Sequence, residues 1–362
     1  MIPFNEPHIT GNEVKYIQEV INSKQTSGNG VYTKKCQEFF ENKYGFKKAL
    51  LTTSCTDALE MCAILANIKS GDEVIIPSYT FVSTALAFVR QGANIAFADS
   101  KKNNPNMDED SIEELITPKT KAIVVVHYAG ASCNMNKIMD IATKYKLIVI
   151  EDAAQAIDSY YNNKPLGSIG HLATFSFHET KNISCGEGGL LIINDDKFID
   201  RSEAIWEKGT DRAKFFRGEV DKYGWVDTGS SFLPSEITAA YLYAQLEQLD
   251  IIQNKRKYIW QLYYEGLRDI FDLHNTTLSN GHMFYVTCKN RSKLIEYLKS
   301  KGIQSVFHYL SLHKSKYYKD KYKGKELRNA DYFTKHLLRL PLYFDLTVEE
   351  VNFIINTIKE YK

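Results

Sequence analysis

The sequence predicts an α/β protein. A mostly parallel sheet sandwiched by helices should occupy residues 1–234, followed by a long linking helix and a smaller C-terminal α+β domain in residues 235–362. Three observations carry this. From about Lys48, short β-rich runs alternate with helical patterns, the rhythm of strand–helix–strand units in a parallel sheet. Runs such as Ile123 to Val126 and Leu147 to Ile150 are apolar without alternation, as expected of strands buried on both faces. Near Pro234 and Ser235 the rhythm gives way to a long helical stretch.

Taken in order, KALLTTS reads as a strand that runs into the helix DALEMCAILANI, and EVIIPS as a strand that precedes the helix TFVSTALAFVRQ. NIAFADS, KAIVVVHY, KLIVIEDA, ATFSFH and GLLIIND supply five further strands, each rich in β-branched or aromatic residues and bounded by polar or small ones. Ser235 ahead of Glu236 is a helix-start signal. The stretch that follows, SEITAAYLYAQLEQLDIIQNKRKYIWQLYYEGL, places Ile237, Ala240, Tyr241, Ala244, Leu249 and Ile252 on one face. Beyond it, HMFYVTCKN and IQSVFHYL read as strands, SKLIEYLKSKG as a helix ending at Gly302, and VEEVNFIINTIKEY as a closing helix. SKYYKDKYKGKELRN reads as an exposed, solvated loop.

Composition narrows the function. Among 362 residues, Lys and Arg total 45 and Asp and Glu 44, a net charge of +1. Nothing in that balance asks for nucleic acid or an anionic membrane as partner. The six cysteines (Cys36, Cys55, Cys62, Cys133, Cys185, Cys288) are scattered, with no pair at zinc-ligand spacing. That suits a reducing compartment and no metal. The start, MIPFNEPHITGNEV, lacks a basic segment followed by an apolar one, and no apolar run is long enough to cross a bilayer. The expected location is the cytoplasm.

The chemistry gathers around FSFHETKNISCGEGG, residues 175–189. A strand ending in a polar turn delivers its last side chains to the mouth of a sheet, where α/β proteins bind ligands. Alone, Lys181 would be a solvated surface lysine. Three further strand ends change that reading. Ser54, Thr56 and Asp57 open a helix, where small hydroxyls and free N–H groups make an anion site, or simply a cap. Asp152 closes a strand expected to be central, where a carboxylate needs a partner or serves as a cap. Phe81 follows another strand and offers either a core side chain or a flat face to an aromatic ligand. Ser176 precedes Lys181 by five residues, and the glycines after it let backbone turn and approach closely. A phosphate acceptor, an aromatic platform, a buried carboxylate and a lysine at one sheet edge match what pyridoxal 5'-phosphate requires.

These motifs, S-C-T-D-A-L at 54 to 59, T-F at 80 to 81, E-D-A-A-Q at 151 to 155, and Ser176 and Lys181 ahead of Gly186-Glu187-Gly188-Gly189, carry a resemblance over essentially the whole chain. The sequence resembles the sugar-nucleotide aminotransferases of the DegT-like branch of fold-type I pyridoxal-phosphate enzymes. The resemblance implies an aspartate-aminotransferase-like fold with a seven-stranded sheet, and a homodimer with active sites at the subunit interface. By residue, Lys181 resembles the lysine that binds the cofactor covalently and moves the proton, and Asp152 the partner of the ring nitrogen. Gln155 resembles the residue at the ring hydroxyl, Phe81 the stacking residue, and Thr56, Asp57 and Ser176 the phosphate ligands. Ser231, in Gly229-Ser230-Ser231, stands where many relatives use an asparagine to reach the partner subunit's cofactor. Ser311 stands where proline is usual.

The resemblance further implies glutamate as amino donor, leaving as 2-oxoglutarate, with pyridoxamine phosphate as the intermediate cofactor form. It implies dTDP-4-keto-6-deoxyglucose as acceptor, dTDP-4-amino-4,6-dideoxygalactose as product, and a role in lipopolysaccharide or surface polysaccharide synthesis. The cations Lys208, Arg212, Lys214, Arg217 and Lys222, interleaved with two phenylalanines, are candidates for the substrate diphosphate; a charge-balanced surface is the alternative. His308, His313 and Tyr309 are candidates for the sugar pocket. A C-3 or differently configured sugar-nucleotide aminotransferase is one alternative, and a non-catalytic cofactor-binding regulator another. A lysine at 181 argues against the related dehydratases, which carry histidine there, and the complete cofactor set disfavours the regulator.

Overall fold

Each of the seven predicted runs forms one strand of a single sheet in the computed structural model, which describes residues 1–273 and 280–361. In chain order these are β1 (Lys48–Thr52), β2 (Glu73–Pro77), β3 (Asn94–Ala98), β4 (Thr120–Val126) and β5 (Ile148–Asp152). After a small ribbon of β6 (Tyr160–Tyr161) and β7 (Lys164–Pro165) come β8 (Leu172–Ser176) and β9 (Gly189–Ile193). The order across the sheet is β1-β9-β8-β5-β4-β2-β3. Only β9 runs antiparallel to its neighbours β1 and β8; the other adjacent pairs are parallel. Both faces are covered, as the continuous apolar runs predict. Leu50 of β1 faces one core, with Ile76, Val124 and Ile150, while its neighbours Ala49 and Leu51 face the other, with Phe175 and Leu190.

The helical stretch after Ser235 differs from its reading as one helix. Ser235 does cap it, its hydroxyl accepting from the Thr238 N–H, but the stretch is two helices, Glu236–Glu247 and Leu249–Leu267. They are broken at Gln248, which leaves helical geometry at φ −106° and ψ 9°. The break shifts the helical phase. Leu249, Ile252, Ala240 and Ala244 are buried as expected, whereas Ile237 is exposed.

Beyond it, β10 (Phe284–Thr287), β11 (Val306–Phe307) and β12 (Leu337–Leu340) form an antiparallel sheet in the order β10-β12-β11. Its core holds Trp260, Tyr263, Phe284, Leu298, Leu338, Leu340 and Ile354. Ile2 joins that core and pairs with this part of the chain, its N–H donating to the Gly302 carbonyl at 2.7 Å. The tyrosine-rich loop is not wholly solvated. Tyr318 packs edge-on to Phe97 at 5.0 Å and its hydroxyl accepts from the Ile95 N–H, while Leu327 is buried. Among the described residues no helix is long and apolar enough to cross a membrane. All six cysteines are free.

One long-range contact holds the helix Val31–Tyr44, the second in the chain. Its N-cap is Gly30, which has no side chain to satisfy the free N–H groups. The buried carboxylate of Glu236 does so instead, accepting from the N–H groups of Gly30 (2.9 Å), Tyr32 (2.7 Å) and Thr33 (3.0 Å), and from the Thr33 hydroxyl. Negative charge also suits that end of a helix. An added Cβ at 30 would lie 2.6 Å from the Glu236 carboxyl carbon, so a larger residue there would have to push the capping side chain aside. Glu236→Ala should destabilise the fold by about 3 kcal/mol, leaving several buried donors unpaired. Denaturant unfolding checks this; a loss below about 1 kcal/mol would mean that water replaces the carboxylate.

Candidate active site

The carboxyl ends of β2, β5 and β8 and the amino end of β9 open onto one cavity of about 460 Å³. Lys181, Asp152, Gln155, Phe81, Thr56, Ser176, His308 and Tyr309 all line it. Antiparallel β9 matters here, because it brings the glycine cluster at its amino end to the same sheet edge as the other strands' carboxyl ends.

Lys181 lies in the turn between β8 and β9, its N–H donating to the His178 carbonyl. Burial and the nearby Arg339 charge lower its pKa, while Cys55 and Asp152 oppose the shift. The next residue fixes the turn. Buried Asn182 donates to Gln253 Oε1 (2.7 Å) and to the Asn280 carbonyl (2.9 Å), and its Oδ1 meets His282 Nδ1 at 2.7 Å. The lysine loop is thus clamped by the C-terminal part of the chain.

Asp152 ends β5 in the centre of the sheet and is buried. Its Oδ2 accepts from the Thr84 hydroxyl at 2.7 Å and its Oδ1 from the Ala154 N–H at 3.2 Å. Thr80 and Thr84 hydroxyls are 2.9 Å apart, and with Thr84 donating to the carboxylate, Thr80 is left to donate to Thr84. Burial raises the Asp152 pKa. No cation pairs with this carboxylate among the described residues, so it retains capacity for an N–H donor from the cavity. Gln155 is held at both ends, Oε1 accepting from the Ala129 N–H (2.6 Å) and Nε2 donating to the Tyr309 hydroxyl (2.9 Å). Ala129 and Tyr309 both adopt positive φ, 55° and 47°, strained conformations that cluster at functional sites. Phe81, 55 % exposed, stands at the cavity lip 6.1 Å from the Tyr309 ring.

At the opposite side the helix Cys55–Leu65 points its N-terminus at the cavity, capped by the Ser54 hydroxyl accepting from the Asp57 N–H. The Thr56 and Ser83 hydroxyls lie 2.8 Å apart on the same wall. The Asp57 carboxylate is engaged by the Thr53 hydroxyl and does not line the cavity. The glycines divide their labour. Gly186 takes the positive-φ turn (78°), while Gly189 lets β9 approach protein backbone: an added Cβ would lie 2.3 Å from the Ser54 carbonyl carbon. Gly189→Ala must displace the start of that helix, and should weaken cofactor retention roughly tenfold or more, by the 1–3 kcal/mol typical of overpacking. Cofactor released on dialysis measures it; unchanged retention would detach the helix N-terminus from cofactor binding.

The cations of residues 208–217 are not brought to this cavity. Lys214 pairs with Asp200 (2.9 Å), Arg217 with Glu203 (2.8 Å) and Glu219 (2.6 Å), and Arg212 lies 3.6 Å from Glu207 and over the Phe216 ring. Arg212 and Arg217 line a separate, mixed-charge depression with Lys34, Lys48 and Glu38. Lys208 is exposed, its backbone N–H bound to the Ser230 carbonyl. Ser231 is exposed and bridges to Glu207. His313 is buried against the Ser78 hydroxyl (2.7 Å). Sequence reasoning missed Thr80, Ser83, His178, Thr180, His282 and Arg339, all of which line the cavity. Ser311, in place of proline, donates its hydroxyl to the Ala330 carbonyl at 2.9 Å.

The residues present fit pyridoxal phosphate. A lysine whose pKa is lowered by burial, a buried carboxylate with unused acceptor capacity, an exposed aromatic face, and hydroxyls at a helix N-terminus are the donor set that such a cofactor needs.

The DegT/DnrJ/EryC1/StrS aminotransferase family matches residues 7–359. The GDP-perosamine synthase of Escherichia coli O157:H7 is 31 % identical over 99 % of this chain and 98 % of its own. Among solved structures, PseC of Helicobacter pylori, an aminotransferase of pseudoaminic acid biosynthesis, superposes with a TM-score of 0.90 at 27 % identity, covering 99 % of this chain and 98 % of its own. Spr1654 of Streptococcus pneumoniae, solved in PMP and PLP forms, does so with TM-scores of 0.91 and 0.90 at 26 % identity. Those two cover 99 % of this chain and 98 % and 97 % of their own. This chain belongs to the DegT/DnrJ/EryC1/StrS aminotransferase family.

Proposed function

We propose that this sugar aminotransferase moves the amino group of glutamate to the keto carbon of a keto-deoxysugar nucleotide, with dTDP-4-keto-6-deoxyglucose as acceptor and dTDP-4-amino-4,6-dideoxygalactose as product. One observation carries the reading: Lys181 and Asp152 share a single cavity with a helix N-terminus, and neither has an ion-pair partner among the described residues. The sugar assignment is supported by the resemblance of FSFHETKN and VFHYLSLH to enzymes of that reaction. A surface-glycan role follows from the product class, and the six free thiols suit the cytoplasm.

Bound pyridoxal phosphate supplies the carbonyl that accepts the amine and a ring that takes up the electrons of a broken C–H bond. The protein's part is binding and proton transfer. Asp152, oriented by Thr84, would accept the N–H of the ring nitrogen and keep it protonated. The Lys181 amine, its pKa lowered by burial, would take the proton from the donor's α-carbon and return one to C4 of the sugar in the second half. The Thr56, Ser83 and Ser176 hydroxyls would hold the phosphate, with Phe81 over the ring and Gln155 at its hydroxyl. Asp57, its carboxylate taken by the Thr53 hydroxyl and its N–H by Ser54, would act on the phosphate only by holding the helix N-terminus in place, and Ser231 would act toward a partner subunit. Exposed apolar residues Phe81, Val82, Leu86, Phe307 and Leu310 line a groove that shares Phe81 and Tyr309 with the cavity, and support a homodimer that covers it.

The test is direct. Glutamate should discharge the yellow colour of the holoprotein, and a keto-deoxysugar nucleotide should restore it. Product identification by NMR across C-3 and C-4 keto sugars then decides the carbon; amination at C-3 alone would overturn the sugar assignment.

A further inference from the structure

We propose that His282 holds the side chain of Lys181 in place, its Nε2 accepting a hydrogen bond from the amine whenever that amine is not bound to cofactor. The inference deepens the aminotransferase reading and rests on it. His282 is a positioning residue, acting through the lysine.

His282 precedes β10, is 3 % exposed, and lines the cavity with Lys181. Its proton is placed by a chain of amides, each anchored on backbone. Asn280 Nδ2 donates to the Gln155 (2.9 Å) and Ile157 (2.8 Å) carbonyls, and Gln253 Nε2 to the Ile157 carbonyl (3.3 Å). Gln253 therefore presents its oxygen to Asn182, whose Nδ2 donates to it and to the Asn280 carbonyl. Asn182 Oδ1 can then only accept, so His282 Nδ1, 2.7 Å away, carries the proton. The ring is uncharged, because burial and the charges of Lys181, Arg339 and Arg256 push its pKa well below the ordinary histidine value. A neutral imidazole protonated at Nδ1 has a bare lone pair at Nε2.

That lone pair has no partner among the described residues. The ring bonds only through Nδ1, while the backbone of His282 is engaged separately by Asn280 and Arg256. A buried acceptor left unpaired is unfavourable, so a donor belongs there. Lys181 is the donor the chain itself supplies. It adjoins Asn182, to which the ring is fastened, and among the neighbouring Arg339, Arg256 and His308 its charge acts most strongly on the ring. Of the other groups that act on the amine, the Cys55 thiol is a weak acceptor, Arg339 is a cation, and Asp152 is committed to the ring nitrogen of the cofactor. An amine held through one N–H keeps fewer orientations, so it stays beside the reacting carbon in both halves of the reaction.

The test uses the full chain stripped of cofactor and then given pyridoxal phosphate at a series of pH values, in wild type, His282→Asn and His282→Gln. The amide nitrogen of asparagine falls where Nδ1 is and keeps the bond to Asn182, but puts nothing at Nε2. The oxygen of glutamine reaches the Nε2 position and forgoes that bond. An acceptor stabilises the protonated amine more than the neutral one, so its loss lowers the lysine pKa. The pH midpoint for cofactor capture, read from the colour, should fall by about one unit in H282N, as for one hydrogen bond to a charged group. It should stay near the wild-type value in H282Q. In loaded H282N both half-reactions should slow together, by about tenfold or more, with the KM for glutamate unchanged. A ring that only clamps the turn gives the reverse order, H282N like wild type and H282Q impaired. That order, or equal midpoints in all three proteins, overturns the inference; if H282Q does not fold, H282N against wild type decides alone. Equal midpoints with a borohydride tag on Lys181 fail this inference only, whereas a tag on another lysine fails the aminotransferase reading and this inference with it.

Discussion

Lys181→Ala should abolish turnover, by about 10⁴-fold or more, while leaving the fold intact. The magnitude follows from what the side chain would do: it would be the only base at the carbon that reacts in both half-reactions, and a positioned acid–base group contributes about 10²–10⁴-fold before any loss of the covalent hold on the cofactor. The structure supports both parts. The side chain is partly buried, its pKa is lowered, and the turn that carries it is clamped through Asn182. Borohydride reduction of the wild-type holoprotein followed by peptide mass mapping should place the cofactor on Lys181 and nowhere else. A small exogenous amine should restore part of the activity to the alanine variant. Normal turnover in that variant, or a tag on another lysine, removes the catalytic assignment.

Asp152→Asn should lower kcat by about 10²–10³-fold, the scale seen when one preorganised electrostatic partner of a reacting group is lost. Asparagine keeps the shape and can still accept from Thr84, but it offers no negative charge to hold a proton on a ring nitrogen. Both half-reactions should slow together, because both need the same electron sink, whereas loss of a substrate contact would slow only one. The cofactor absorption spectrum of the variant gives a second reading, since ring protonation shifts it. Wild-type rates in D152N would reassign the carboxylate to the structural role of orienting the Ala154 turn.

The strands, and the meeting of Lys181 and Asp152 in one cavity, were legible because each depends on few, local residues. A run such as KLIVIEDA declares its own strand, and the last residue of a buried parallel strand has one place to be, the sheet edge. What was hidden depends on partners distant in sequence. Lys214 and Arg217 look like a phosphate cradle in a string of cations, yet Asp200 and Glu203 from the preceding helix neutralise them. Thr84 lies 68 positions from the carboxylate it orients. Arg339 had a signal, an arginine inside LLRL, but four residues between a helix and a proline are too short a run to announce a strand. The break at Gln248 left no composition mark, for it has neither glycine nor proline.

The cap on helix Val31–Tyr44 also has a consequence for how the chain acquires its shape. Gly30 and Glu236 are 206 positions apart, so as the polypeptide leaves the ribosome that helix end must wait, open, until well past the last strand of the large sheet has emerged. Ribosome-tethered nascent chains arrested before residue 236 should expose the first turn to protease, and those released beyond it should not. The β-strands can meet early; the N-terminal layer is locked late, by a single acid arriving from the far side of the sequence.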